Sequence, residues 1–173
     1  MLLVPFCGWF GNKVAAEDYA QKIETQLGET WLPRIYRERI RKLRTRSYHF
    51  EKPTASARVV IQHTLLGVEL KVGRRRLLCP DLATARYLSV FARIGISDVA
   101  VPYDITKISQ LADELESLWY RMLLLIEQEA RAESTRFKTR LRGLLLAKIR
   151  AEIEEAGAGA RVPEFRQNTK QRR

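Results

Sequence analysis

The chain has 173 residues, 46% of them apolar, enough to bury a core and too many for a disordered polymer. Lys and Arg number 31 against 20 Asp and Glu, a formal charge of +11 that favours nucleic acid, an acidic protein or an anionic membrane as partner and says nothing about fold. Beyond the N-terminus the longest apolar run is "MLLLI" at 122–126, far short of the roughly 20 residues that span a bilayer, so a soluble chain without a transmembrane segment is expected.

The opening "MLLVPFCGWFGNK" is apolar but lacks the basic start and the length of a secretion signal. Residues 12–30 suit a helix ending near Gly28. "TWLPRIYRERIRKLRTRS" predicts a second helix, with Pro33 in the first turn, where the missing N–H costs nothing. Leu32, Ile35, Tyr36, Ile40 and Leu43 recur on one side at helical spacing, and Arg34, Arg37, Arg41 and Arg44 on the adjoining side.

After Pro53 the pattern changes. "ARVVIQH", "VELKV" and "RRLLC" are short β-branched or apolar runs, separated by Leu66-Gly67 and Gly73-Arg74, and predict a small sheet whose last two strands form a hairpin, with a helix as the alternative for the first run. "PDLATARYLSVFARIGISDVAVPYD" predicts a helix with Asp81 as N-cap and Gly95 just past its end, followed by the buried strand "DVAVP". With "RRLLC" in front, this is a β-α-β unit, which would make its two strands parallel.

From Ile105 the chain is helical in pattern. Ile108, Leu111, Leu115, Leu118, Trp119, Met122, Leu125 and Ile126 make one apolar stripe, and Phe137, Leu141, Leu144, Leu145 and Ile149 a second. No Gly or Pro intervenes before Gly143, which favours one helix of about fifty residues over two joined near Ser134. Its near-heptad first stripe suits a coiled coil, a homodimer or a partner helix, through Leu111, Leu115, Leu118 and Met122. "AGAGARVPEFRQNTKQRR" closes as a flexible basic tail.

The expected fold is therefore α+β: a small mixed sheet with one β-α-β unit, N-terminal helices, and a long C-terminal helix or helical hairpin. One domain covers 1–158, with 12–48 helical, 57–104 sheet-containing and 105–156 the long helix or hairpin, and 159–173 form the tail.

Charge is clustered. Residues 34–46 carry seven basic side chains against one Glu, 131–150 seven against one, and 161–173 five against one; "KVGRRR" adds four, and 110–129 are acidic, five against one. Arginine dominates the first cluster, and its planar fork holds two phosphate oxygens at once. Tyr36, Tyr48, His49 and Phe50 interleave aromatic rings that can stack on unpaired bases. The expected function is non-catalytic binding of RNA or DNA through Arg37, Arg41, Arg44 and Arg46, extended by Arg74, Arg75, Arg76, Arg136 and Arg140. The alternative is an adaptor that meets an acidic protein or partner helix through the long helix. Basic side chains simply lining a wet helix face, or bridging to the acidic segment within the fold, are the plain reading of the same pattern.

Enzyme signatures are weak. Glu69-x-Lys71 on a strand resembles the carboxylate–lysine pair of PD-(D/E)xK nucleases, which holds Mg²⁺ and orients water, although Glu and Lys alternating with Val68, Leu70 and Val72 also describes a solvent-facing strand edge. Asp81 and Asp104 would both emerge at strand carboxyl ends, where a magnesium ion can bind, but each suits a helix cap better. Cys79 precedes a helix N-terminus, yet neither His49 nor His63 stands at a spacing that makes it a partner base. Two cysteines and two histidines give no zinc spacing, and no phosphate-loop, dinucleotide, metalloprotease or serine-hydrolase motif occurs. No metal, cofactor or catalytic residue is expected, and sparse cysteine suits a reducing cytoplasm.

Overall fold

A computed structural model describes residues 8–50 and 58–159, with side chains from residue 15 onward. In chain order it holds α1 (Gly8–Leu27), a 3-10 turn (Gly28–Thr30), α2 (Leu32–Ile35) running into five residues of π-helix (Tyr36–Ile40), and β1 (Thr45–His49). Then come β2 (Val59–Thr64), β3 (Gly67–Val72), β4 (Arg75–Cys79), α3 (Leu82–Ile94), β5 (Asp98–Pro102), α4 (Ile105–Glu129) and α5 (Thr135–Ala156). The α+β class is as expected.

Helix α3 forms the centre of the core. Asp81 caps it, accepting from Thr84 N–H at 2.7 Å and Thr84 Oγ1–H at 2.9 Å, and Gly95 ends it at φ 85°, a conformation that favours glycine. Tyr87, Leu88, Val90, Phe91, Ala92 and Ile94 are all buried, the pattern of a helix covered on every side. The strands β2-β3-β4 form an antiparallel meander on one side of it. Residues paired across a ladder share a face, so Ile61, Leu70 and Leu77 face inward together with Val68 and Cys79. Gln62, Glu69, Lys71, Arg76 and Leu78 face outward.

The β-α-β expectation needs correcting. β4, α3 and β5 follow in that order, but β5 pairs antiparallel with β1 in a separate two-stranded sheet, and both sheets are purely antiparallel. Backbone satisfaction explains why. In the β1-β5 ladder the bonds Tyr103 N–H to Arg44 O and Phe50 N–H to Ser97 O fix the alternation, which turns the N–H and C=O of Ala100 away from β1. There Ala100 N–H donates to the Tyr36 hydroxyl at 3.0 Å, and the Tyr87 hydroxyl donates to Ala100 O at 2.6 Å. Two buried tyrosines thus occupy the edge a parallel neighbour would need.

The opening basic stretch is also not one helix. The last helical bond is a wide one, Arg41 N–H to Tyr36 O at 2.9 Å, and the chain then turns at 41–43 and becomes β1, which carries Arg46, Tyr48 and His49. The single fifty-residue helix is likewise overturned in favour of the hairpin. α4 ends at Glu129 and Ser134 caps α5, accepting from Phe137 N–H at 3.2 Å. Apolar packing favours the break: the Phe137 ring meets Tyr19 of α1 edge-on at 5.5 Å, and α5 then runs along α1 and α2, with Lys148 on Glu24, Trp31 Nε1–H on Glu152 at 3.1 Å and the Tyr36 hydroxyl on Gly157 O at 3.0 Å. A continuous helix would carry the second apolar stripe away from α1 and α2 and leave it in water.

The stripe expected to bind a partner is spent in the same way. Leu111, Leu115, Leu118 and Met122 are 4, 0, 8 and 3% exposed, packed inside the chain's own core. No helix among the described residues is long and apolar enough to cross a membrane.

Candidate nucleic-acid interface

The first basic cluster divides by partner. Arg39 pairs with Glu114 of α4, and Arg34 with Glu38 one turn on at 3.0 Å. These belong to a wider pattern in which the acidic segment is matched from within: Arg86 to Asp113 and Glu116, Lys138 to Glu127, Lys22 to Glu129. The hydrogen bonds that Arg86 donates to Glu116, and then to Asp113, push its guanidinium further up, while Lys22 rises and Glu129 falls through their mutual contact. The other arginines are the ones left facing outward. Arg37 and Arg46 are exposed and make no ion pair among the described residues.

Arg41 has a different task. Half-buried, it donates from Nε to Ala156 O at 3.1 Å, a cation on the last carbonyls of α5 where the helix dipole is negative. The chain then passes directly over it. A Cβ at Gly159 would lie 2.8 Å from Arg41 Nη1 and 3.0 Å from Thr45 Oγ1. The basic tail expected from residue 159 onward lies, from residue 160, outside the described residues.

Arg44 lies next to Thr45, its Cζ 5.3 Å from the centre of the Tyr103 ring, and its carbonyl accepts the Tyr103 N–H. Tyr103 is 53% exposed. Sequence reasoning passed over Tyr103; its only signal is an aromatic side chain just beyond a buried strand, overshadowed by Asp104 beside it.

The remaining predicted residues sit elsewhere. Arg136 and Arg140 are exposed on the first half of α5, 20 and 16 residues before Ala156, hence about 30 and 24 Å along the axis from the carbonyl that Arg41 caps. Arg74, Arg75 and Arg76 are exposed at the β3-β4 turn of the other sheet. The three basic clusters among the described residues sit on separate elements: 34–46 from α2 to β1, 74–76 at the β3-β4 turn, and Arg136 and Arg140 on the first half of α5.

The candidate chemical groups resolve plainly. Glu69 and Lys71 do share the outward face of β3, but the charged neighbour of Glu69 is Arg76 Nη1 at 3.9 Å, a cation where a metal site would need a second carboxylate. Asp104 accepts from Thr106 N–H at 2.8 Å and Asp81 from Thr84, so both are caps. Cys79 is 4% exposed, and burial pushes its thiol up to about 11, away from nucleophilic use. His49 contacts Asp98 at 3.0 Å across the two-stranded ladder.

The chain matches no protein-family model, no curated protein and no solved structure.

Proposed function

We propose that this chain binds nucleic acid, RNA or DNA, through phosphate contacts centred on Arg37, Arg44 and Arg46. The observation that supports it is that Arg37 and Arg46 are exposed and make no ion pair among the described residues, with Arg44 exposed between them in sequence. Clustered cations outside internal pairing raise the local attraction for a polyanion. The pairing pattern adds weight. The acidic residues of α4 are matched by Arg39, Arg86, Lys138 and Lys22, which leaves Arg37 and Arg46 outside the internal charge pairing.

The test is fluorescence anisotropy with labelled single-stranded and duplex oligonucleotides across a salt titration. Each neutralised phosphate contributes about −0.7 to −0.9 to the log–log slope. Arg37→Glu with Arg46→Glu should weaken binding at least tenfold and flatten the slope by about two. Arg136→Glu with Arg140→Glu, at the far half of α5, should change much less. Absence of binding at low salt would overturn the proposal.

A further inference from the structure

We infer that the nucleic acid this surface takes is single-stranded, with Tyr103 as the platform on which one base stacks. The inference rests on the proposed nucleic-acid reading and narrows it to unpaired bases. Exposure alone does not mark a site, since Tyr120 is 61% exposed. Tyr103, 53% exposed, is distinguished by the Arg44 guanidinium over its ring.

Its position is fixed from two sides. The bond from Tyr103 N–H to Arg44 O, at 3.2 Å, is the last rung of the β1-β5 ladder, and Asp104 next to it caps α4, so the backbone beneath the ring is held by a sheet end and a helix start. The guanidinium of Arg44 lies over the ring at 5.3 Å, and Ile105, 55% exposed, follows beside it. Arg46 stands two residues along the same strand. An aromatic ring with a guanidinium at its face, bordered by an apolar side chain and further arginines, is what a nucleotide with a splayed-out base requires: a π surface for the base and forked cations for its phosphates. A base within a duplex is already stacked on both sides and would not reach the ring. Asp104, next in sequence, accepts from Thr106 N–H and Lys107 N–H of the helix it caps.

Anisotropy with three labelled probes separates the possibilities: a 15-nucleotide thymidine strand, an abasic strand with the same number of phosphates, and a duplex of that length. The wild-type chain should hold the thymidine strand roughly 5- to 150-fold tighter than the abasic one, the worth of one stacked base. Tyr103→Leu should remove that difference and leave the salt slope unchanged, while Tyr103→Trp should keep it. The side chain is exposed and its backbone bond survives both changes, so circular dichroism should show an unaltered fold. Equal affinity for all three probes, or a difference that persists in Tyr103→Leu, would overturn the stacking inference with the phosphate-binding proposal intact. Failure of the wild type to bind any probe would overturn both.

Discussion

Removing a single oxygen tests how the fold is held. The Tyr36 hydroxyl, completely buried, accepts from Ala100 N–H at 3.0 Å and donates to Gly157 O at 3.0 Å, joining α2, β5 and the end of α5. Tyr36→Phe keeps the ring and its edge-on contact with Phe91 at 5.7 Å. It leaves the N–H of a residue with 0% exposure without a partner, which costs about 1–3 kcal/mol. The Gly157 carbonyl is half-buried, so water can replace part of its bond, and about 0.5–1 kcal/mol is lost there. The sum is about 1.5–4 kcal/mol, a fall in Tm of roughly 3–16 °C for a chain of this size. Urea unfolding followed by the fluorescence of the buried Trp31 and Trp119 measures it. Tyr87→Phe, which strips the donor from Ala100 O, should cost somewhat less, because a carbonyl tolerates under-satisfaction better than an N–H. Both changes meet at Ala100, so the double variant should depart from additivity. A Tyr36→Phe variant within about 0.5 kcal/mol of wild type would refute the view that tyrosine hydroxyls close this strand edge.

Arg41→Ala should destabilise by about 1–2 kcal/mol through loss of its bond to Ala156 O, while Arg37→Ala, exposed and unpaired among the described residues, should stay within about 0.5 kcal/mol; equal melting curves would deny Arg41 its capping role. Ser134→Ala should cost about 1 kcal/mol and Ser134→Asp should restore it, as measured by thermal melts, because either oxygen can accept from Phe137 N–H. Burial raises the Cys79 thiol to about 11 and the Tyr48 hydroxyl to about 12, so the unfolded chain releases these protons first as pH rises. Stability should therefore decline from about pH 9 upward through pH 11, and urea midpoints that hold constant over that window would contradict it. In a Cys7→Ser variant the native chain should react slowly with a thiol reagent at pH 8 and rapidly in urea.

Local chemistry announces itself in sequence because its causes lie within a few residues. Asp81, Gly95 and Asp104 could be assigned as helix stops and starts because a cap needs only a side-chain oxygen or a left-handed φ at the right offset. The β3-β4 hairpin was visible for the same reason, apolar runs separated by a two-residue turn, whereas the run that became β2 could as well have been helical. The burial of Ile108, Leu111, Leu115 and Met122 followed from helical period, but what they would be buried against did not. Nothing in an apolar stripe distinguishes a second chain from a helix folded back out of the same one. Only packing against α3, and of α5 against α1, decided it.

Strand partnership and charge were tertiary decisions of the same kind. Whether β5 lies beside β4 or β1 depends on the hydroxyls of Tyr36 and Tyr87 reaching Ala100 from 64 and 13 residues away, and no local propensity encodes that. The sequence located the basic residues but not their duties. Arg39 and Arg41 are near neighbours in the same basic run, yet one is neutralised by Glu114 and the other caps α5, because a helix end and an acidic helix are brought to opposite sides of that run. Composition determined that the chain carries excess positive charge; the fold determined which arginines remain outside its internal pairing.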